Sequence, residues 1–495
     1  MTIRRRALLA GGLGCLLARN ARTLEVPGNK CPCDLPKVDV GKFPVDRAGR
    51  LERPAATIKR PSWSRLSSDD KTRLLSMLQK AYRHMAAMHY SDPRSLAFQA
   101  WLHQYYCCSG PDSSVIPGTV RNIHATSDFL PWHRGFLFFH ERIIQGILCD
   151  RDFRLPVWDW ESEHKAPWRY DPGLLPKNMP GACRKRNEYA HTVADSDLQA
   201  WLHSKCAAEF LGQPAPPPPG VSGVDAGNAE QGIHSDVHVV LNGYMRPISS
   251  SAVDPVFYAH HANVDRYWEL WRSHYHGKHG FAEKWPPWSA YYFYDAFHRL
   301  KKPRLVRVTP EELLDLDQLG YCYDCPNVVI SDRAVAASRD GSRLFFTAEA
   351  LATLKQFFGL DLGEASLLRF PQRQRGEFVP ARVFLSVPKP RAGRSYYVAI
   401  EDLTGARIPI GGFGAFVEEG AATTRFFAPL SLDKTAFGQL WQAIQNSASF
   451  QILYAVAKED VNGALPDPNG RGPIDGPWEP ATAGVSFEFL LPEGS

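Results

Sequence analysis

The 495-residue chain contains no uninterrupted apolar stretch of the roughly 20 residues needed to cross a bilayer. Nothing in the mature sequence therefore reads as a membrane span. A basic stripe is also missing. The net charge of +5 includes Arg4, Arg5, Arg6 and Arg19 near the N-terminus, and without them the balance is about +1. No run of like charge is left to argue for nucleic acid. Internal repetition is confined to one echo, Gln99-Ala-Trp-Leu-His103 against Gln199-Ala-Trp-Leu-His203, with nothing similar around it. The His-Glu-x-x-His pattern of hydrolytic zinc sites does not occur.

What is present belongs to a large globular protein. With 44% hydrophobic and 12% aromatic residues the chain can bury an extensive core, and it is too long for one typical domain. It begins Thr2-Ile3-Arg4-Arg5-Arg6-Ala7-Leu8-Leu9 and continues through an apolar, Gly-rich stretch to Leu17. This reads as a twin-arginine export signal over residues 1–21, placing the mature protein in the periplasm or outside the cell. Ten cysteines occur, nine of them after the signal. Export permits disulfides, and that is the expected use of Cys31, Cys33, Cys322 and Cys325.

Helical periodicity runs from a cap at Ser67 or Ser68, then through residues 96–106, 128–148, 198–211, 233–241 and 255–274. The Pro-rich segment 214–220 is a loop. Beyond residue 376 short β-type runs take over, at 379–387, 396–402, 424–432, 452–457 and 485–491, interrupted by one amphipathic helix at 435–445. The expected fold is a mainly α domain over residues 22–330, a four-helix bundle around a metal site. A linker over 331–375 and a small β-rich sandwich or barrel over 376–495 follow.

Among 17 histidines, spacing separates candidates from background. His234 and His238 stand at i and i+4 on one helical face. His260-His261 is doubled inside a strongly apolar helix, where neutral imidazoles still need polar partners. His103, His124 and His133 supply a second set. Two groups of imidazoles without carboxylate or thiolate favour copper or zinc over calcium or magnesium.

These residues carry a resemblance. The segments Asp92-Pro-Arg-Ser95, His103-Gln-Tyr-Tyr-Cys107, Pro131-Trp-His-Arg134, Leu155-Pro-Val-Trp-Asp-Trp160, His234-x3-His238 and the block from Asp254 to Trp268 resemble tyrosinases and, more closely, plant polyphenol oxidases. The match spans most of residues 65–325. It implies two copper ions, one held by His103, His124 and His133 and the other by His234, His238 and His261. It further implies a thioether between Cys107 and His124, Phe257 standing over the copper pair, Glu230 holding a water that assists phenol deprotonation, and Asp265 orienting imidazoles. Ser235 stands where efficient monophenol hydroxylases of the family often have Asn, which bears on the strength of hydroxylation. The implied activity is O2-dependent ortho-hydroxylation of monophenols and oxidation of o-diphenols to o-quinones. The alternatives are a catechol oxidase with diphenolase activity alone, or an O2 carrier like the hemocyanins. Tyr321-Cys-Tyr323 is similar to the motif that closes the catalytic domain in plant-type enzymes. The β-rich domain, with Gly411-Gly-Phe-Gly-Ala-Phe416, is similar to the one that caps the copper pocket in latent members, where an apolar side chain occupies the substrate position. Small phenols and O2 are the expected partners, and a homo-oligomer is left open.

Overall fold

The computed structural model describes residues 45–46, 51, 54, 56–107, 123–163, 165, 187, 189, 193–204, 206–214, 226–275, 283–287, 289–297, 305–326, 328–358, 378–417, 421, 424–446, 449–458 and 470–491. The export signal, Cys31, Cys33 and the proline run 215–220 lie outside them.

The first domain is built from helices whose apolar faces dictate their burial. Helix α1 (Ser68–Ala87) starts where the Ser67 hydroxyl accepts the Asp70 amide, and buries Leu78, Ala81, Tyr82 and Met85. An oxygen at this position satisfies a backbone donor that the helix cannot. Helices α2 (Leu96–Cys107), α3 (Phe129–Leu148), α6 (Ile233–Leu241) and α7 (Val256–Tyr275) are buried on almost every side and form the centre. The charged residues that α3 and α7 carry inward, such as Arg134 and Asp265, pair with one another. Around them stand α4 (Asp195–Leu202), α5 (Ala207–Leu211) and α8 (Leu316–Leu319). Short strands complete the shell: β1 (Val45–Asp46), β2 (Ile58–Lys59), β3 (Tyr291–Tyr294), β4 (Leu305–Val308) and β5 (Tyr321–Cys322). β5 pairs in parallel with β2, joining the beginning of the described domain to its end.

One buried network fixes that junction. Asp265 on α7 accepts from Arg134 Nε at 2.6 Å, Tyr321 OH at 2.8 Å and Tyr323 OH at 2.6 Å. The Arg60 guanidinium lies over the Tyr321 ring at 3.7 Å and donates to Glu141 at 3.0 Å. Both Asp265 oxygens are thus engaged away from the histidines. The expectation that Asp265 orients imidazoles is corrected: it ties α7 to α3 and to the Tyr-x-Tyr segment.

The second domain is a β-sandwich. One sheet has the order β12 (Thr424–Asp433), β9 (Phe378–Val387), β15 (Ser486–Leu490), β6 (Ala334–Ala336). The other runs β11 (Arg407–Gly414), β10 (Ser395–Glu401), β13 (Gln451–Val456), β14 (Glu479–Pro480). Val383, Leu385, Phe487 and Phe489 from the first sheet share a core with Val398, Ile400, Ile452 and Tyr454 from the second. A hairpin, β7 (Ser338–Asp340) with β8 (Arg343–Phe345), and the helices α9 (Ala348–Phe358) and α10 (Lys434–Asn446) complete it.

Three expectations need correction. Residues 334–358 are not linker, because β6 pairs with β15 and α9 sends Leu354 and Phe358 into the sandwich core. The helix expected over 198–211 is two helices, interrupted at His203. There the His203 carbonyl leaves the helical pattern and accepts Arg382 Nη1 of β9 at 3.0 Å. Finally, Cys322 and Cys325 carry thiols and are not bridged.

Candidate metal centre

Two clusters of imidazoles lie at the centre of the helical domain. His103 on α2, His124 in the turn before α3 and His133 on α3 form one, with one ring nitrogen from each lying within 4.8 Å of the others. His234 and His238 on α6 with His260 and His261 on α7 form the second, under the same limit. All seven are buried. His133 and His261 bring the clusters together, their rings stacked at 4.2 Å with an interplanar angle of 7°.

Each helix delivers its histidine for a local reason. Gly232, with φ +59°, turns the chain into α6, where a Cβ would meet Trp201 and Phe427 at 3.0 and 3.2 Å. On α6 the spacing of four residues then places His234 and His238 one above the other, 4.7 Å apart.

The hydrogen bonds on the far side of these rings determine what the near side can do. His133 Nδ1 bonds to the Phe129 carbonyl at 2.8 Å, His238 Nδ1 to the Met245 carbonyl at 2.9 Å, and His234 Nδ1 to the Glu230 carbonyl. Carbonyl oxygens only accept, so each Nδ1 carries the proton and each Nε2 keeps its lone pair. His124 Nδ1 meets the Glu230 carboxylate at 2.8 Å, with the same result. The Nε2 atoms of His133 and His234 are buried and make no hydrogen bond. Burial first, and neighbouring imidazoles second, hold His133 and His261 well below the usual histidine range. Oriented, neutral, unpartnered nitrogens are what a metal ion requires, so the residues fit a bound metal.

Among the other expected site residues, Phe257 stands between the clusters, 4.1 Å from the His261 ring and 4.9 Å from that of His103. Glu230 is buried and spans both clusters. Its second oxygen accepts the Ala125 amide at 2.6 Å, and its carbonyl accepts the Ser235 hydroxyl at 2.8 Å as well as His234. Ser235 is therefore turned back toward the start of its own helix. Cys107 Sγ is buried 3.2 Å from His103 Nε2.

Two features were not legible in the sequence. Phe129 lies 4.6 Å from the His133 ring and 4.8 Å from that of His234, so it touches both clusters. Phe416, just after β11 in the sandwich, stacks on His238 at 4.1 Å and 16°, and meets His234 and His124 edge-on at 5.7 and 5.9 Å. The motif around Phe416 had pointed to the region but not to the residue.

A family model described as the common central domain of tyrosinase matches residues 79–207 and 194–274, the stretch that carries both clusters. The region that carries both clusters is thus similar to the central domain of tyrosinases and polyphenol oxidases. It is 32% identical over 282 residues to polyphenol oxidase A1 of Vicia faba, covering 50% of this chain and 45% of that protein. It is also 29% identical over 336 residues to a polyphenol oxidase of Malus domestica, covering 60% and 52%. The chain thus spans about half the length of the curated relatives it matches. Among solved structures, latent apple tyrosinase aligns over 90% of this chain and 98% of its own with TM-score 0.52 and 19% identity. A latent aurone synthase aligns over 91% and 93% with TM-score 0.56 and 18% identity. At such identities the structures establish a shared fold, helical domain and β-rich domain together. Among the described residues no helix is long and apolar enough to cross a membrane.

Proposed function

We propose that this polyphenol oxidase relative is a copper-dependent phenol oxidase, chiefly a diphenolase, held latent by its own β-sandwich. The observation that carries the proposal is the pair of buried clusters, made of imidazole alone, with their lone pairs set by hydrogen bonds on the opposite ring nitrogens. His103, His124 and His133 would hold one copper ion, and His234, His238 and His261 the other; borderline nitrogen ligands suit both copper oxidation states. When bound, the copper pair supplies the electron transfer by which two o-diphenols are oxidised to two o-quinones while one O2 is reduced to two waters.

The protein's share is positioning and exclusion. The carbonyls of Phe129, Glu230 and Met245 fix three imidazole planes, and the Glu230 carboxylate fixes a fourth. Phe129 and Phe257 flank the imidazoles with apolar rings and help exclude water. The ring of a phenol would enter on the face of His238 that Phe416 covers, and make the same stacking contact. Latency then follows, because substrate and Phe416 compete for one surface.

Glu230 and Ser235 bear on the choice between the two phenolic substrates. Both Glu230 oxygens are engaged by His124 and Ala125, and the Ser235 hydroxyl by the Glu230 carbonyl. With its one proton committed to that carbonyl, the Ser235 hydroxyl cannot donate to a water on Glu230, which favours o-diphenol oxidation over deprotonation and hydroxylation of a monophenol. The Cys107–His124 thioether is proposed on family likeness, and peptide mapping for a covalently joined pair tests it. Export by the twin-arginine route is likewise proposed from the sequence.

The deciding experiment measures O2 uptake and quinone absorbance of the copper-loaded protein with L-DOPA and with L-tyrosine. Rapid oxidation of L-DOPA with slow or lagging use of L-tyrosine is expected. Reversible O2 binding with silence toward both, even when Phe416 is replaced by Ala, would overturn the enzyme in favour of a carrier.

A further inference from the structure

The second cluster contains four histidines where three would complete a site. His260 and His261 are consecutive on α7, are equally buried, and both lie within reach of the same point. Distance alone does not choose between them. We infer that Trp160 makes the choice, by fixing His260 in the tautomer that cannot bind a metal ion. The tautomer assignment stands on the geometry of the metal-free protein, while its consequence for copper rests on the phenol oxidase reading above.

The hydrogen bonds of His260 run opposite to those of its neighbours. His133, His234 and His238 each direct Nδ1 at a carbonyl oxygen, an acceptor, which places the proton on Nδ1 and the lone pair on Nε2. His260 Nδ1 instead faces Trp160 Nε1 at 3.3 Å. The indole N–H can only donate. The bond exists only when His260 Nδ1 holds a lone pair, and a neutral imidazole of that kind carries its proton on Nε2. Nε2 then has no lone pair to offer, and the lone pair of Nδ1 is taken by the indole.

Trp160 is well placed to enforce this. It is buried, stacked on Tyr267 at 5.4 Å and 19°, and set edge-on to Trp201 at 6.1 Å. Its segment is bound to α7 by the Trp158 amide donating to the Ala259 carbonyl at 3.0 Å, directly beside His260. The His260 ring lies parallel to His234 at 5.3 Å and 13°. His260 is thus a spacer that supports a ligand ring, and Trp160 is a positioning residue acting through it.

Selective 15N labelling of histidine in the metal-free full-length chain tests the assignment directly, with the His260 resonances identified by their loss in His260→Gln. The expected spectrum has His260 protonated at Nε2 and unprotonated at Nδ1; the reverse pattern overturns the inference without any variant of Trp160 being needed. Trp160→Phe keeps a ring and removes the donor, so a shift of His260 Nδ1 toward the protonated range is expected. Cobalt(II) loaded into that variant should then show changed d–d absorption as a fourth nitrogen joins the second cluster, and Trp160→Phe with His260→Gln should restore the wild-type bands. A Trp160→Phe protein with unaltered His260 shifts and unaltered cobalt bands would overturn the inference. Failure of the wild-type protein to take up two copper ions would instead sink the phenol oxidase reading, and leave the tautomer to be judged by the nitrogen spectra.

Discussion

Phe416 and Glu230 set the site from opposite directions, one by covering it and one by bracing it. Phe416 belongs to the sandwich by chain order, yet it packs with the helical core, alongside Phe384 and Phe427. Removing its ring should uncover His238 at the cost of packing. Phe416→Ala is expected to raise L-DOPA turnover of the unactivated protein roughly 10- to 100-fold, equivalent to about 1–3 kcal/mol of competition removed. It should also lower the thermal midpoint, since truncating a buried Phe costs about 3–5 kcal/mol. Steady-state O2 uptake and calorimetry on the same preparations check both signs. Glu230→Ala deletes the acceptor of His124 Nδ1 while the backbone carbonyl still serves His234. Copper affinity of the first cluster should fall roughly 10- to 100-fold, the usual effect of losing a group that orients a ligand, with the second cluster little changed. Competition with a chelator, followed by counting retained copper, separates the two. Glu230→Gln, which keeps an acceptor for His124, should fall between.

The helices that carry the histidines were readable because each is long, apolar and periodic, and residues 96–107, 129–148 and 256–275 fall within two residues of their expected bounds. β11 was not readable. Gly411, Gly412 and Gly414 make it look like a loop, although Ile408, Ile410 and Phe413 are buried. The glycines serve close approach. A Cβ on Gly414 would lie 3.0 Å from the Ser235 carbonyl and 3.1 Å from Asp236 Cα, so only a bare backbone lets β11 lie against α6 and place Phe416 two residues later on His238. Local sequence cannot reveal a requirement set by a helix about 180 residues away. The repeated pentapeptide makes the same point: His103 and His203 share their four preceding residues, yet one joins a cluster of imidazoles while the other bonds to the Ser331 carbonyl at the domain seam. Gly414→Val should push β11 away from α6. The expected result is about 1–3 kcal/mol of destabilisation, the usual cost of overpacking. It should come with an unactivated L-DOPA rate approaching that of Phe416→Ala, and a variant that loses stability while staying latent would show that β11 does not set the position of Phe416.

The two domains are held together by a buried polar seam as well as by the Phe416 contact. Arg382 of the sandwich bonds to Glu488 within its own sheet at 2.8 Å, and reaches across to Glu209 at 2.6 Å and the His203 carbonyl at 3.0 Å. His203 lies in this seam with its imidazole lowered to about 4, first by burial and then by the Arg382 charge, against the opposing pull of Glu209 and Glu488. The sign follows from proton counting. Between an unfolded value near 6.5 and the folded value of about 4, the opened or unfolded chain binds the extra proton and the closed protein does not, so stability falls as pH drops through that window and levels off below it. At about 1.4 kcal/mol per pKa unit the full effect is on the order of 3 kcal/mol. Asp128, raised to about 6 by burial, acts in the opposite direction, gaining its proton in the folded protein first and adding stability as pH falls. A single pH profile therefore mixes the two, whereas a difference between variants does not. His203→Gln preserves a donor for the Ser331 carbonyl and removes the titration. Denaturant midpoints of wild type and His203→Gln should run parallel above pH 7 and diverge as pH falls toward 4, with the wild type losing ground. If opening of the seam releases Phe416, brief exposure to pH 4.5 should activate the wild type toward L-DOPA more than it activates the variant, and equal activation would place the acid-sensitive contact elsewhere.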